Sequence, residues 1–140
     1  MAYWLMKSEP GTWSWDDQVK AGVKGTAWDG VRNHQAKLNL MKMKKGDRAF
    51  FYHSGDEKSV VGVVEIVSPH RPDPSDKTGA FVVVDVKAAV PLPTPVTLKM
   101  CKAETGLAKM VLLNNSRLSV QPVTDREWAI VCKLGGLKSV

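Results

Sequence analysis

Three short runs dense in β-branched and aromatic residues constrain this chain most: RAFFYHS at 48–54, SVVGVVEIV at 59–67 and FVVVDVK at 81–87. Such residues suit a pleated, half-buried surface, so each run predicts a strand. The polar turn at 55–58 makes the first two an antiparallel hairpin. Alternation sends Phe50 and Tyr52 to one face and Phe51 and His53 to the other, so that one pair can fill a core while the other faces a pocket. Gly62 inside the second run marks a bulge or a place where another group approaches closely. Residues 70–78, HRPDPSDKT, read as an exposed loop, and Pro91, Pro93 and Pro95 as a short rigid connector.

The remaining segments fit around those strands. Ala2 to Met6 is aromatic and apolar, a buried first strand that Pro10 and Gly11 bring to an end. Ser14 caps a helix over 15–21, with Asp16 and Asp17 near its positive end and Gly22 as its stop. Trp13 and Trp15 read as packing residues. Asp29-Gly30 is a turn signal just after Trp28, and from Arg32 onward Ala36, Leu40 and Met43 recur at helical spacing. Brief helical pieces are expected at 97–102 and 106–110, a polar turn at 114–117 and a strand at 118–120. Thr124 and Glu127 form a capping box that opens a closing helix, after which a loose tail begins at about residue 134. No internal repeat or long linker divides the chain. The expectation is one α+β domain over 1–140, its strands closing into a small mixed β-barrel flanked by short helices.

A chain of 140 residues with 44% hydrophobic residues can bury a core without disulfides or metals. Its formal charge of +6 favours anionic partners, nucleic acid foremost. Cys101 and Cys132 lie in no CxxC pair and beside no His at ligand spacing, so no metal or cofactor is expected and the thiols should be free. With no leader and no long apolar run, the expectation is a soluble, cytoplasmic protein without membrane contact; its oligomeric state is left open, with a monomer favoured. There is no GxSxG elbow, P-loop, HExxH or dinucleotide fingerprint. A small hydrolase or nuclease would have to draw on His34 and His53 with Ser8, Ser54 or Glu9, oriented by Asp29 or Glu65, and nothing in their spacing selects that arrangement. No catalytic residue is assigned.

MKSEP at 6–10, WDGVRN at 28–33, GDRAFFYHS at 46–54, VGVVEIV at 61–67 and SRLSVQPVTDREW at 116–128 together resemble the EVE domain family, which takes in the thymocyte nuclear protein group of eukaryotes and short bacterial proteins. The resemblance runs from Tyr3 to about Val131. It implies a PUA-like fold, related to the YTH and SRA domains that bind modified bases, and the role of a modified-nucleobase reader. The chain departs from the pattern at His34, where an aromatic such as Tyr is expected.

Residues and resemblance converge on a pocket. A reader of an unpaired base needs an aromatic face to stack on, groups for the base edge and positive charge for flanking phosphates. Trp28 and Tyr52 are the candidate stacking surfaces, Ser8, Asn33 and His53 the edge-reading groups, and Lys7, Arg32 and Arg117 the phosphate or polar anchors. Each has a plainer alternative. Tyr52 can be core, Asn33 a helix cap, Arg117 half of a surface ion pair and His53 a satisfied buried histidine. A protein-interaction module would use the same Trp-rich surface as a hot spot.

Overall fold

The computed structural model describes residues 2–138. In chain order the elements are β1 (Tyr3–Ser8), α1 (Trp15–Lys20), β2 (Thr26–Ala27), α2 (His34–Lys42), β3 (Arg48–His53), β4 (Ser59–Pro72), β5 (Val82–Thr97), α3 (Leu98–Ala103), α4 (Val111–Asn114), β6 (Val120–Val123) and α5 (Asp125–Leu134). A 3-10 turn at Thr105–Leu107 separates α3 from α4. Local capping chemistry sets the helix starts. Ser14 and Thr124 each close a reciprocal capping box, with Asp17 and Glu127, and Asn33 accepts from Ala36 N at 2.9 Å.

The six strands form one sheet in the order β2-β5-β4-β3-β1-β6. β1 pairs parallel with β3 and antiparallel with β6, and the remaining pairs are antiparallel. The expected ring of strands does not close: β2, only two residues long, and β6 are the sheet's two edges. Helix α2 packs against β6, β5 and β4 instead, and Asn39 Nδ2 donates to Val120 O at 2.7 Å, a bond that satisfies an edge carbonyl.

Alternation along β1 and β3 divides the interior into two cores, one on each face of the sheet. Met6, Phe51, Ile66, Trp15 and Trp28 lie in one, where α1 and α2 pack; Leu5, Phe50, Tyr52, Val63 and Trp128 lie in the other, beneath α3 to α5. Trp128 stacks on both Tyr3 and Phe50, with ring centroids 4.2 and 3.9 Å away. Both readings of Gly62 hold. The β4 register shifts between Val60 and Gly62, and a Cβ at Gly62 would meet the Trp15 ring at 2.5 Å.

Two segments depart from expectation. β4 continues to Pro72 and β5 starts at Val82, so part of the 70–78 loop is strand; Arg71 and Pro72 pair with Val83 and Val82. The proline connector also lies within β5. Gly62 faces Pro91 and Val60 faces Val96, which leaves residues 92–95 as an excursion from the ladder. Prolines are tolerated there because an excursion needs no N–H for β4. Thr94 N donates to Gly135 O at 3.0 Å, and Leu137 N to Cys132 O at 2.8 Å, so the chain just past residue 134 is bound to the second core. Ser139 and Val140 lie outside the described residues.

Candidate functional site

At the C-terminal end of β1 the chain opens a cleft of ≈ 530 Å³ lined by Lys7, Ser8, Glu9, Thr12, Trp13, Thr26, Ala27, Trp28 and Asp29. Its walls are built locally. Pro10 and Gly11 turn the chain so that Thr12 N and Trp13 N both donate to Glu9 O at 2.9 Å, and Ser8 Oγ donates to Trp13 O. Trp13 Nε1 donates to Gln18 Oε1 at 2.9 Å. Gln18 is fully buried, and its Nε2 donates to Thr26 Oγ1 and to Val86 O, both at 3.2 Å, so one amide ties α1, β2 and β5 into a single support. On the other wall Trp28 N donates to Val84 O at 2.8 Å, and the indole meets Phe51 edge-on at 5.4 Å. Trp28 is 8% exposed and Trp13 half-buried. Two indoles on rigid supports therefore line one cleft, with an ammonium and two carboxylates in its lining.

Of the residues expected to share a pocket, this cleft holds Lys7, Ser8 and Trp28. Tyr52 is not with them. It is 4% exposed on the opposite face of the sheet, where burial, together with the Cys101 thiol, pushes its phenol up to about 12. His53 faces the Trp28 side but is buried beneath α1. Its Nε2 accepts from Trp15 N at 3.0 Å, so the ring proton sits on Nδ1, 3.0 Å from a Glu57 carboxylate oxygen yet off the hydrogen-bonding direction. Asn33 caps α2 and lies outside the cleft. Lys7 Nζ donates to Ser116 O at 2.6 Å, and half-burial holds its pKa below the ordinary lysine value. Arg117, the next residue, is exposed and has no ion pair among the described residues. His34 lies 5.2 Å from the Phe81 ring and contributes nothing to the cleft lining.

Arg32 is committed to structure. Its guanidinium donates to Asp73 at 2.9 Å and to Ser75 Oγ at 3.1 Å, and it lies 5.4 Å from the Phe81 ring centroid. Burial alone would raise the Asp73 carboxyl, but bonds from the Ser75 hydroxyl, Arg32, and the backbone N–H groups of Ser75 and Gly30 bring it down to about 2. A carboxylate depressed on folding stabilises above its unfolded pKa, near 4, and that stabilisation disappears as pH falls through 2. With Arg32 partly exposed, Asp73→Asn should cost about 1–2 kcal/mol at neutral pH. Denaturant titrations at pH 7 and pH 2.5 check this: the gap between the two proteins should shrink at the lower pH.

Sequence reasoning missed Trp13, Glu9, Thr12 and Asp29 as cleft residues. Glu9 lay inside the MKSEP motif and Asp29 beside Trp28, but no periodicity distinguishes a half-buried Trp13 from a core one. Of the groups a nucleophilic mechanism would draw on, Ser8 Oγ and His53 Nε2 are each bonded to backbone. Burial pushes the thiols of Cys101 and Cys132 up to about 11, and both are free. Among the described residues no His, Cys, Asp and Glu group could hold a metal ion, and no helix is long and apolar enough to cross a membrane.

The EVE domain model matches residues 2–134. Thymocyte nuclear protein 1 of Mus musculus is 38% identical, covering 94% of this chain and 73% of that protein. A solved protein of Rhodopseudomonas palustris is 58% identical with a TM-score of 0.94, over 100% of this chain and 97% of that one. The human THYN1 protein, crystallised with 5-methylcytosine-containing DNA, is 34% identical with a TM-score of 0.88, over 99% and 100% of the two chains. A YTH domain from Zygosaccharomyces rouxii shares the fold at 19% identity and a TM-score of 0.58, covering 99% of this chain and 87% of its own. The mixed α+β architecture is thus the PUA-like one, and this chain belongs to the EVE domain family.

Proposed function

We propose that this protein binds nucleic acid and reads a modified nucleobase in the cleft lined by Trp13 and Trp28. The carrying observation is that cleft itself: two indoles on separate supports, Trp13 held through its Nε1 by Gln18 of α1 and Trp28 packed edge-on against Phe51 with its backbone bonded to β5, and polar side chains at the cleft's edge. Indole faces stack on any base, so they supply affinity without sequence preference. The human relative's complex with 5-methylcytosine-containing DNA supports the same class of ligand.

Identity must come from the edge groups. The carboxylates of Glu9 and Asp29 have no side-chain hydrogen bond among the described residues and can only accept. An exocyclic amino group, as on cytosine or adenine, gives such an acceptor a partner, whereas the two carbonyls of thymine or uracil would confront it. The ligand read here is therefore an amino-bearing base carrying a modification. The test is a titration panel of single-stranded and duplex oligonucleotides containing cytosine, 5-methylcytosine, adenine, N6-methyladenine or thymine at one position. A methylated amino base should bind tightest, and Asp29→Asn with Glu9→Gln should narrow its margin over thymine by about 1 kcal/mol. Equal affinity across the panel would refute the reading.

A further inference from the structure

Lys7 lines not only the Trp13–Trp28 cleft but also a second one of ≈ 220 Å³, with Tyr52, Ser54, Gly55, Lys58, Leu98 and Ser116 among its walls. Lys58 and Leu98 in turn line a third, of ≈ 330 Å³, which adds Lys99 and Lys102. The three depressions thus share lining residues in sequence, and lysines mark each junction. Lys58, Lys99 and Lys102 are exposed and have no ion pair among the described residues. Two carboxylates lie along the same line. Glu57 sits 3.0 Å from His53 Nδ1, and Glu9 rests so close to Gly55 that a Cβ there would meet it at 2.6 Å. Four ammonium groups against two carboxylates leave a positive lane.

Lys58 has a second peculiarity. At φ 44° it is the one non-glycine residue with positive φ among the described residues. That conformation is unfavourable for a side chain with a Cβ, and Leu98 N holds it by donating to Lys58 O at 2.8 Å. Strained backbone persists where the surroundings fix it, often at functional sites. Here the strain sets a lysine at the meeting point of two clefts.

We propose that the sugar–phosphate backbone of a single nucleic-acid strand leaves the base cleft over Lys7 and follows the second and third clefts along Lys58, Lys99 and Lys102. This rests on the base-reading function above and adds a phosphate-binding track to it. Phosphate contacts position a strand and carry no sequence information, so the track raises affinity for modified and unmodified strands alike.

The experiment titrates a single-stranded oligonucleotide with one central 5-methylcytosine, and its unmethylated twin, across a salt series. Proteins compared are the parent, Lys58→Ala/Lys102→Ala, and Lys20→Ala/Lys24→Ala as an equal charge loss outside these clefts. The first pair should reduce the slope of log affinity against log salt by about 1.4, weaken both oligonucleotides by the same factor and preserve their ratio, while the control pair leaves the slope near the parent's. An unchanged slope in Lys58→Ala/Lys102→Ala, an equal loss in the control pair, or no binding by the parent would each overturn the track. If the parent shows the slope but no preference for the methylated strand, the track stands and the base-reading function fails.

Discussion

Trp15→Ala is expected to destabilise the protein by about 3–5 kcal/mol, the cost of deleting a buried indole from a packed core. Trp15 is 9% exposed, meets Phe51 edge-on at 5.5 Å and covers Gly62 so closely that no side chain could stand between them. Its loss leaves a void bounded by β3 and β4, and Gly62 cannot fill it. Ala at 15 keeps the backbone N–H that donates to His53 Nε2, but without the indole that packs α1 onto the sheet the start of α1 should loosen, and with it Trp13 and the turn that forms one wall of the cleft. Chemical denaturation measures the loss, and Trp15→Phe should recover part of it. A Trp15→Ala protein with unchanged stability would contradict the packing described.

The second large effect is on binding. Removing the Trp13 or Trp28 ring should each cost about 1–3 kcal/mol of affinity for a base-containing ligand. The two differ in stability. Trp13 is half-buried and Trp28 packs on Phe51, so Trp28→Ala also lowers folding stability, and Trp13→Ala gives the cleaner reading of stacking. Tyr52 supplies the contrast. It sits in the core of the other face, so Tyr52→Ala should act on stability and, through its contact with Lys7, only indirectly on binding. Titrations run well below each variant's unfolding midpoint separate the two kinds of loss. Equal affinity of Trp13→Ala and the parent protein would remove Trp13 from the stacking surface.

Much of the fold was legible because its signals are local. Ser14, Asn33 and Thr124 announce helix starts through bonds to residues three positions on, and the 3.6-residue spacing of Ala36 and Leu40 faces α2 inward. Strand alternation correctly put Phe50 with Tyr52 and Phe51 with His53. What alternation could not supply was which face Trp28 joins. That depends on β2 pairing with β5 sixty residues away, as Thr26 with Val86, and so Trp28 and Tyr52 were assigned to one pocket although the sheet lies between them. The prolines of β5 misled for a related reason. They break an ideal ladder, but residues 92–95 leave that ladder to meet the end of α5, a tertiary contact with no local signal. Asn33 and Arg32 look like recognition groups by type, yet a backbone N–H and a buried carboxylate already engage them.

The central claim, that a base enters between Trp13 and Trp28, is tested most directly by the five tryptophans themselves. Their indole N–H resonances can be assigned by single substitution and followed in a 15N-labelled sample as a 5-methylcytosine-containing single strand is added. The Trp13 and Trp28 signals should shift with ligand and saturate together. Trp128, stacked between Tyr3 and Phe50 in the opposite core, should stay in place, as should Trp4, whose Nε1 donates to Asp47 at 3.2 Å. Saturable binding that moves Trp128 and leaves Trp13 and Trp28 unmoved would contradict the account.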